Sequence, residues 1–391
     1  MSINISLDFD GVCTDLSFVK QQKINEFDYL YSPFSITLSE KRKGVFELIS
    51  VFGLFADIFI ITSRPVEDKI YIKKWLLEKE LLPFIKDILC CGESPKSVMM
   101  NQHEIKLLID DKPKHLVLLD KKQKGILWEH QSWIDVAKEF INFTIADSNA
   151  SIKVKPELIL TEVDYTTDLS SSPVFILKFN DKSKLKLRVC ANEQVKNRII
   201  SFLKITKENR YNHVSCLVAT NGLAILKTFI EGVGINSINA NNRLIFIEKA
   251  GSALAKLHSI QLSKPISDLK FSLADHNESL LVFSADNYNL IITSNNDVAF
   301  IDLEACNVGS RWIDYCWTEK LLCQNDDEKL ALEKGYFSIY TGMKATNEES
   351  KLAEQNYKLW LTYQLRQSKS VHSSDSGKAK IIDETLSELW N

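Results

Sequence analysis

The stretch that decides the fold of the first third of the chain is Ile3-Asn-Ile-Ser-Leu-Asp-Phe-Asp-Gly11. Its apolar residues form a short run that is typical of a buried β-strand, and the run ends in an acidic turn. Asp8 and Asp10 lie two residues apart in that turn, and Gly11 permits the sharp bend that brings both side chains over one place. Because ligands of open α/β sheets bind at the carboxyl ends of strands, this turn is predicted to face a ligand.

Strand-like and helix-like segments alternate through the rest of this region. The further strand-like segments are residues 56–62 (ADIFIIT), 106–109, 116–119 and 125–128, the last two forming one strand or two. Residues 41–52 and 66–79 have helical patterns. Strands that alternate with helices indicate a parallel sheet covered on both faces. The predicted fold class here is α/β and Rossmann-like.

Side chains with metal-binding or phosphate-binding chemistry lie at or near the ends of the predicted strands. Thr62 ends the second strand, and its hydroxyl is suited to hold phosphoryl oxygens. Asp110 and Asp111 end the third strand and are candidate metal ligands, directly or through water. Clustered carboxylates require a cation, and hard oxygen ligands select Mg²⁺. Lys96 is the expected counter-charge, and Lys106 competes with it for that role.

The order D-x-D-G, T, K, D-D resembles the haloacid dehalogenase superfamily, whose four motifs match here at Asp8, Thr62, Lys96 and Asp110. The resemblance covers the whole first region and implies a phosphohydrolase domain with a parallel sheet. The region has no large insert that would build a cap. The stretch from residue 15 to residue 38 is long enough only for a small flap, so the site is expected to be open to a bulky phosphate ester.

Each carboxylate of the set has an expected role. Asp8 would attack phosphorus and form an acyl phosphate. Asp10 would protonate the leaving oxygen and then deprotonate water. Asp8, Asp10 and one or both of Asp110 and Asp111 would hold Mg²⁺.

Composition sets limits on the partners. The chain has 391 residues, enough for two domains, with 45% hydrophobic and 25% charged residues. A net charge of −3 and the lack of a basic run argue against nucleic acid and anionic membranes as partners. No apolar run is long enough to span a bilayer, and the N-terminus does not read as a signal peptide. Because the eight cysteines form no C-x-x-C pair, we expect reduced thiols and a cytoplasmic location.

The pattern changes near residue 148. Three strand-like stretches, residues 158–163, 174–179 and 184–190, are separated by polar turns and predict an antiparallel meander. The remainder is mainly helical, apart from a β-rich patch between residues 280 and 302.

This second region resembles the aminoglycoside phosphotransferase and choline kinase superfamily, a relative of protein kinases. The resemblance rests on the helix Gly251–His258, on Asn289-Leu-Ile-Ile followed by Val298-Ala-Phe-Ile-Asp302-Leu-Glu304, and on Gly309–Asp314. It implies an α+β bilobal domain that uses ATP. In kinases, residues like Asp302 and Asn289 hold Mg²⁺ on the nucleotide. The segment Phe229-Ile-Glu231-Gly232 looks like the hinge beside an adenine pocket.

Two parts of the second region depart from that family. The catalytic Asp normally precedes the Asn by five residues, but Ser284 stands there and Asp286 is three residues before Asn289. Either the loop is shortened and Asp286 is the base, or the base is lost. In the nucleotide lobe, the strand cation is either Lys186 or Arg188, which share one face because side chains alternate along a strand.

The sequence thus predicts a phosphohydrolase domain at residues 1–147 and a kinase-like domain at residues 148–391. The predicted function is Mg²⁺-dependent hydrolysis of a small phosphate ester, joined to a domain that phosphorylates a hydroxyl of a sugar or amino alcohol. Two alternatives stay open. One is a single-activity phosphatase with a degenerate kinase-like domain, and the other is a kinase whose N-terminal domain binds a phosphate ester without hydrolysing it.

Overall fold

The computed structural model describes residues 3–15, 32–146, 157–166, 172–262, 278–282, 285 and 287–371. The chain divides into two compact units. The first comprises Met1–Lys196 and Leu217–Phe229, and the second comprises Asn197–Cys216 and Ile230–Asn391. Most of the predicted flap, residues 16–31, lies outside the described residues. Among the described helices, none has the length and apolar character needed to cross a membrane.

The first unit begins with alternating strands and helices. Its first strands are β1 (Ile3–Asp8), β2 (Thr14–Asp15), β3 (Glu40–Lys41), β4 (Ala56–Thr62), β5 (Ile85–Cys90), β6 (Ile105–Asp110) and β7 (Lys124–Leu127). Its first helices are α1 (Pro33–Leu38), α2 (Val45–Phe52), α3 (Lys69–Glu78), α4 (Lys96–Gln102), α5 (Pro113–Val117) and α6 (Trp133–Ala146). Five of these strands pair in parallel in the order β5-β4-β1-β6-β7. The predicted parallel α/β region is therefore confirmed.

Two predicted elements differ from the structure. The helix expected over residues 41–52 begins only at Val45, because Gly44 adopts a left-handed conformation with φ of +86° and interrupts the helix there. Of the two stretches 116–119 and 125–128, only the second forms a strand, since helix α5 extends to Val117. Pro113 occupies the first turn of that helix, where the fixed φ of proline favours a helix start.

Alternate residues along the buried strands face two different apolar cores. In β4, Ile60 belongs to one core and Ile61 to the other. On the first face α2 contacts α6, and the rings of Phe52 and Phe140 lie with their centroids 4.1 Å apart. Burial on both faces explains why these strands are apolar without alternation.

An antiparallel sheet completes the first unit. Its strands are β8 (Leu160–Thr166), β9 (Val174–Phe179), β10 (Lys184–Val189), β11 (Leu217–Asn221) and β12 (Ala224–Thr228), in the order β11-β12-β10-β9-β8. Helix α7 (Glu193–Glu208) stands between β10 and β11 in the chain. Strands β8, β9 and β10 form the antiparallel meander that the sequence predicts.

The antiparallel sheet shares its core with the parallel region. Phe175 and Leu226 belong to the same apolar cluster as Phe52. The Leu223 N–H donates to Oγ of Ser50 at 2.9 Å, and Asn221 Nδ2 donates to the Ser50 carbonyl at 2.9 Å. These contacts explain why the two sheets form one compact unit. The domain boundary predicted between residues 147 and 148 stays a prediction.

The second unit is mainly helical. Its elements after α7 are β13 (Gly232–Gly234), α8 (Ala240–His258), β14 (Glu278–Leu281), β15 (Leu290–Thr293), β16 (Val298–Phe300), β17 (Asn307–Ser310), α9 (Arg311–Leu322), α10 (Asp326–Ile339) and α11 (Asn347–Val371). Helix α8 packs along α10, and α9 packs along α11. Two small antiparallel sheets, β13-β15-β16 and β14-β17, lie beside these helices in the described part of the unit.

Candidate active site

The parallel register brings three predicted site residues to one edge of the sheet. Asp8 ends β1 and pairs with Ile61 of β4, so Thr62 follows directly beside it. Leu7 pairs with Ile109 of β6, so Asp110 lies on the other side of Asp8. Parallel strands end at the same edge of a sheet, and ligands bind at that edge. Asp8, Thr62 and Asp110 are all at least 96% buried, with exposed fractions of 4%, 0% and 0%.

Lys96 joins two of these carboxylates. Its Nζ lies 2.8 Å from Oδ1 of Asp8 and 2.6 Å from Oδ2 of Asp110. Lys96 begins helix α4 and is buried, with 4% of its surface exposed. Lys106, the competing candidate, lies within β6 and is only half-buried. The contacts therefore favour Lys96 as the counter-charge of the cluster.

Burial and charge shift the pKa values of this cluster in different directions. Burial raises the pKa of Asp8 well above its usual range; Lys96 opposes this, while Asp110 and Asp10 add to it. Burial disfavours the Lys96 ammonium, but Asp8 and Asp110 outweigh it and raise the pKa of Lys96. Burial also disfavours the ionised form of Asp110, but hydrogen bonds from His115 and Lys96 lower its pKa to about 2. An ionised Asp8 would thus gain stability from an added cation.

Asp10 is held by an arginine. Arg64 donates from Nε to Oδ2 of Asp10 at 2.9 Å and from Nη2 to Oδ1 at 2.8 Å. Its Nη1 donates to Oδ2 of Asp68 at 3.1 Å. Arg64 could hardly be selected from the sequence, because an arginine in a loop is usually solvated. Its one signal is its position two residues after Thr62, at the edge where the other site residues lie.

The turn between β1 and β2 leaves no room for a side chain at Gly11. Gly11 has φ of +82°, and an added Cβ would lie 2.1 Å from Oδ2 of Asp111. The Gly11 N–H donates to Oγ1 of Thr14 at 3.2 Å, and its carbonyl accepts from Arg42. Glycine at this position lets the turn approach the second aspartate of the D-D pair closely.

We expect Gly11→Ala to be clearly more destabilising than Gly92→Ala. Both glycines have positive φ, +82° and +58°, but a Cβ at Gly92 would meet no atom within 4 Å. Gly92→Ala should therefore cost only the backbone strain, about 1–2 kcal/mol. Gly11→Ala adds the clash with Asp111 and should cost at least about 1 kcal/mol more. Urea denaturation of both variants measures the difference, and equal costs would contradict the close approach.

The two adjacent aspartates have different surroundings. In Asp110, Oδ1 accepts from the Lys112 N–H at 2.8 Å, and Oδ2 contacts both Lys96 and His115, at 2.6 Å and 2.9 Å. In Asp111, Oδ1 is buried and has no hydrogen-bond partner among the described residues. Burial, followed by the charge of Asp110, raises the pKa of Asp111. A buried carboxylate oxygen without a partner fits a cation ligand, so Asp111 suits Mg²⁺ better than Asp110 does.

His115 also lies at this cluster. Ligand atoms of Asp8, Asp110 and His115 all lie within 4.8 Å of one another. That spacing could hold a metal ion, but Lys96 already contacts both carboxylates of this set. Both oxygens of Asp110 have hydrogen-bond donors, whereas Oδ1 of Asp111 has none among the described residues, so Asp111 is the better ligand of this adjacent pair. The sequence alone predicts a structural or surface role for His115 rather than a role as a metal ligand.

A cavity of about 630 Å³ opens beside Gly11 and Asp111. Arg42 and Trp133 contribute to its walls. Arg42 donates to the Trp128 carbonyl at 2.7 Å, and its guanidinium lies over the Trp128 ring, 4.3 Å from the centroid. The cavity gives space for a small molecule beside Gly11 and Asp111.

In the second unit, a hairpin brings together the two predicted nucleotide-metal ligands. Strands β15 and β16 pair with Leu290 opposite Phe300, so Asn289 and Asp302 lie at the same end. The Ile301 N–H donates to the Asn289 carbonyl at 3.0 Å. Asp286 and Ser284, the candidates for the catalytic base, lie outside the described residues.

The histidine and aspartate of the other two kinase-like motifs are in contact. His258, at the end of α8, lies with Nε2 3.1 Å from Oδ2 of Asp314. That oxygen also accepts from the Val282 N–H at 2.8 Å, and His258 Nδ1 lies 2.7 Å from the hydroxyl of Tyr336. Burial lowers the pKa of His258, and its hydrogen bond to Asp314 opposes the shift. The network anchors the chain at Val282, a few residues before Asp286.

The other predicted nucleotide-binding residues are divided between the units. Arg188 is buried and Lys186 is half-buried, both in β10 of the first unit. Glu231 precedes β13 in the second unit, with Asn289 and Asp302. The nucleotide site that would join these residues stays a prediction.

Comparison with known proteins gives similarities only among solved structures. No protein-family model and no curated protein matches the chain. An ADP-bound aminoglycoside phosphotransferase is 14% identical, with 63% of this chain and 96% of that chain covered and a TM-score of 0.45. The Plasmodium vivax ethanolamine kinase is 12% identical, with 68% and 90% covered and a TM-score of 0.45. A macrolide 2'-phosphotransferase from Brachybacterium faecium is 9% identical, with 59% and 94% covered and a TM-score of 0.42.

Proposed function

We propose that the first unit is a Mg²⁺-dependent phosphohydrolase that acts on a small phosphate ester. The observation that carries this proposal is the buried cluster of Asp8, Lys96 and Asp110 at the carboxyl edge of the parallel sheet. When Asp8 and Asp110 are both ionised, the single positive charge of Lys96 balances only one of the two negative charges. The remaining negative charge favours binding of a further cation, and the cation and Lys96 together favour an anionic substrate such as a phosphate.

The expected reaction has two steps. First, an oxygen of Asp8 attacks phosphorus, the bond from phosphorus to the ester oxygen breaks, and Asp10 gives its proton to the leaving oxygen. Second, water attacks the acyl phosphate, Asp10 takes a proton from that water, and the bond from phosphorus to Asp8 breaks. Thr62 and Lys96 would hold phosphoryl oxygens during both steps.

Mg²⁺ would be held by Asp8, by the backbone carbonyl of Asp10 and by Asp111. When bound, it supplies positive charge that draws the phosphate toward the nucleophile and offsets the developing negative charge. Lys96 would add the second positive charge, and its contact with Asp110 holds the ammonium group in place.

We expect Asp111→Asn to weaken the response to Mg²⁺, since the amide lacks the charge that a hard cation prefers. The Mg²⁺ concentration for half-maximal activity should rise at least about 10-fold. Asp110→Asn is the matched variant: it should lower turnover by releasing Lys96, while changing this Mg²⁺ concentration less. The test is hydrolysis of sugar phosphates, amino alcohol phosphates and p-nitrophenyl phosphate across a Mg²⁺ series, with a chelator as control. The reverse ranking of the two variants would contradict the assignment of Asp111.

A second candidate function, ATP-dependent phosphorylation of a small hydroxyl compound, is favoured by the hairpin that places Asn289 and Asp302 at one end. These are the residue types that hold Mg²⁺ on a nucleotide in kinases. Calorimetric titration with ATP and Mg²⁺ tests this candidate. Binding by the wild type that is lost in Asp302→Ala would support it, and no binding by the wild type would leave only the hydrolase.

A further inference from the structure

Arg64 lies in a loop, yet its guanidinium group donates hydrogen bonds to two buried carboxylates. Its guanidinium forms a two-pronged contact with both oxygens of Asp10, at 2.9 Å and 2.8 Å, and a third contact with Asp68 at 3.1 Å. The side chains of Arg64, Asp10 and Asp68 have exposed fractions of 0%, 5% and 4%. The three groups therefore interact away from bulk water.

The backbone around Arg64 is fixed as well. The Arg64 N–H donates to Oγ1 of Thr62 at 3.2 Å, and the Arg64 carbonyl accepts from the Gly92 N–H at 3.2 Å. Thr62 is itself the last residue of β4. The arginine is thus attached to the central sheet, and it reaches from there to the turn that carries Asp10.

A gain in stability alone does not account for this arrangement. Moving an arginine and two carboxylates out of water is costly, and such buried pairs are often no more stabilising than apolar residues of similar volume. A two-pronged contact does fix the plane and direction of the carboxylate, because the guanidinium is flat and its donors are rigid. Orientation of Asp10 is therefore the property that Arg64 supplies.

The geometry points to Arg64 as the positioning residue for proton transfer by Asp10. This inference rests on the proposed hydrolase function and deepens it. Arg64 holds the Asp10 carboxyl group in one direction. In its protonated form this group gives its proton to the leaving oxygen, as the bond from phosphorus to that oxygen breaks and the bond to Asp8 forms, and the carboxylate remains on Arg64. The same orientation then serves to take a proton from water when the acyl phosphate is hydrolysed.

A positioning role predicts a dependence on the leaving group. An alkoxide is a poor leaving group and needs the proton from Asp10, whereas p-nitrophenolate leaves readily without it. The value of kcat/KM reports the steps up to the first irreversible one, here the transfer of the phosphoryl group to Asp8. Loss of orientation should therefore lower kcat/KM much more for alkyl phosphates than for the aryl phosphate.

The experiment compares wild type, Arg64→Lys and Asp68→Asn on p-nitrophenyl phosphate and on the best alkyl phosphate found for the wild type. Lysine keeps the charge but cannot make the two-pronged contact. For Arg64→Lys we expect kcat/KM to fall about 10²-fold on the alkyl ester and less than about 10-fold on the aryl ester. In Asp68→Asn, Arg64 keeps its contact with Asp10 and only its contact with residue 68 is weakened. The ratio of the alkyl-ester loss to the aryl-ester loss should therefore change in the same direction, but by less.

Chemical rescue separates positioning from a merely structural role. Guanidinium chloride at millimolar, non-denaturing concentration should restore part of the alkyl-ester activity of Arg64→Gly, while ethylammonium of similar charge should not. Equal losses of kcat/KM on the two esters, in both Arg64→Lys and Asp68→Asn, would overturn the inference. This test does not depend on whether the Arg64→Gly protein is stable. A wild type that hydrolyses neither ester would instead count against the proposed function itself.

Discussion

The Asp8→Asn protein is expected to lose phosphate-ester hydrolysis by about 10⁴-fold or more, on every ester that the wild type hydrolyses. The amide of asparagine cannot attack phosphorus to form an acyl phosphate. Asn and Asp are nearly equal in size, so the fold should persist. The buried amide would also leave Lys96 with Asp110 as its carboxylate partner in the cluster.

Steady-state hydrolysis and a circular dichroism spectrum of the same sample together test this expectation. Asp15→Asn provides the matched control, because Asp15 belongs to the same segment but is exposed. It should keep its activity within a few-fold of the wild type. A folded Asp8→Asn protein that hydrolyses esters at the wild-type rate would show that Asp8 is not the nucleophile.

The second large effect is expected for Lys96→Met, in both stability and activity. Methionine has similar length but no charge, so Asp8 and Asp110 would lose their shared buried partner. Breaking a buried ion pair from one side typically costs about 3–5 kcal/mol of folding free energy. Hydrolysis should fall as well, because one of the two positive charges near the phosphate is removed.

Lys106→Met is the matched control for this variant. Lys106 lies half-buried in β6, the element that follows α4 in the chain, and it is the other candidate for the role of Lys96. Urea denaturation at neutral pH should show a small change in the unfolding free energy for Lys106→Met and a large one for Lys96→Met. The opposite ranking would transfer the counter-charge role to Lys106.

The strand-end residues could be found from the sequence because their position follows from a local rule. A short apolar run predicts a buried strand, and the residue after it must lie at the sheet edge. This rule placed Asp8, Thr62 and Asp110 correctly, even though β6 begins one residue earlier than predicted, at Ile105. Parallel pairing then brings these ends together without any information about side chains.

The partners of these residues could not be found in this way. Arg64 and Asp10 lie 54 positions apart in the chain, and the bond between them depends on how the loop after β4 turns back over β1. Which of Asp110 and Asp111 is the better metal ligand depends on which has an oxygen without a hydrogen-bond donor. Lys96, His115 and the Lys112 N–H all contact Asp110, and Asp111 is left with such an oxygen. Such choices appear only once the elements are packed.

The core shared by the two sheets of the first unit was also missed. The change of pattern near residue 148 predicts a different arrangement of strands, and the first described strand of the antiparallel sheet begins at Leu160. No local pattern shows that Ser50, in a helix of the parallel region, accepts a bond from Leu223, 173 positions later. The packing of the antiparallel sheet on the parallel region therefore depends on long-range contacts, which no local pattern shows.

The central claim is that Asp8 carries the phosphoryl group during hydrolysis, and trapping that group tests it most directly. Asp10→Asn should still accept a phosphoryl group from p-nitrophenyl phosphate, since p-nitrophenolate needs no proton. It should release that group slowly, because it lacks the base for water. After acid quenching and digestion, mass spectrometry should find one phosphoryl group on Asp8, in a form that hydroxylamine removes. A phosphoryl group on another residue, or steady hydrolysis by Asp10→Asn with Asp8 unmodified throughout, would contradict the account.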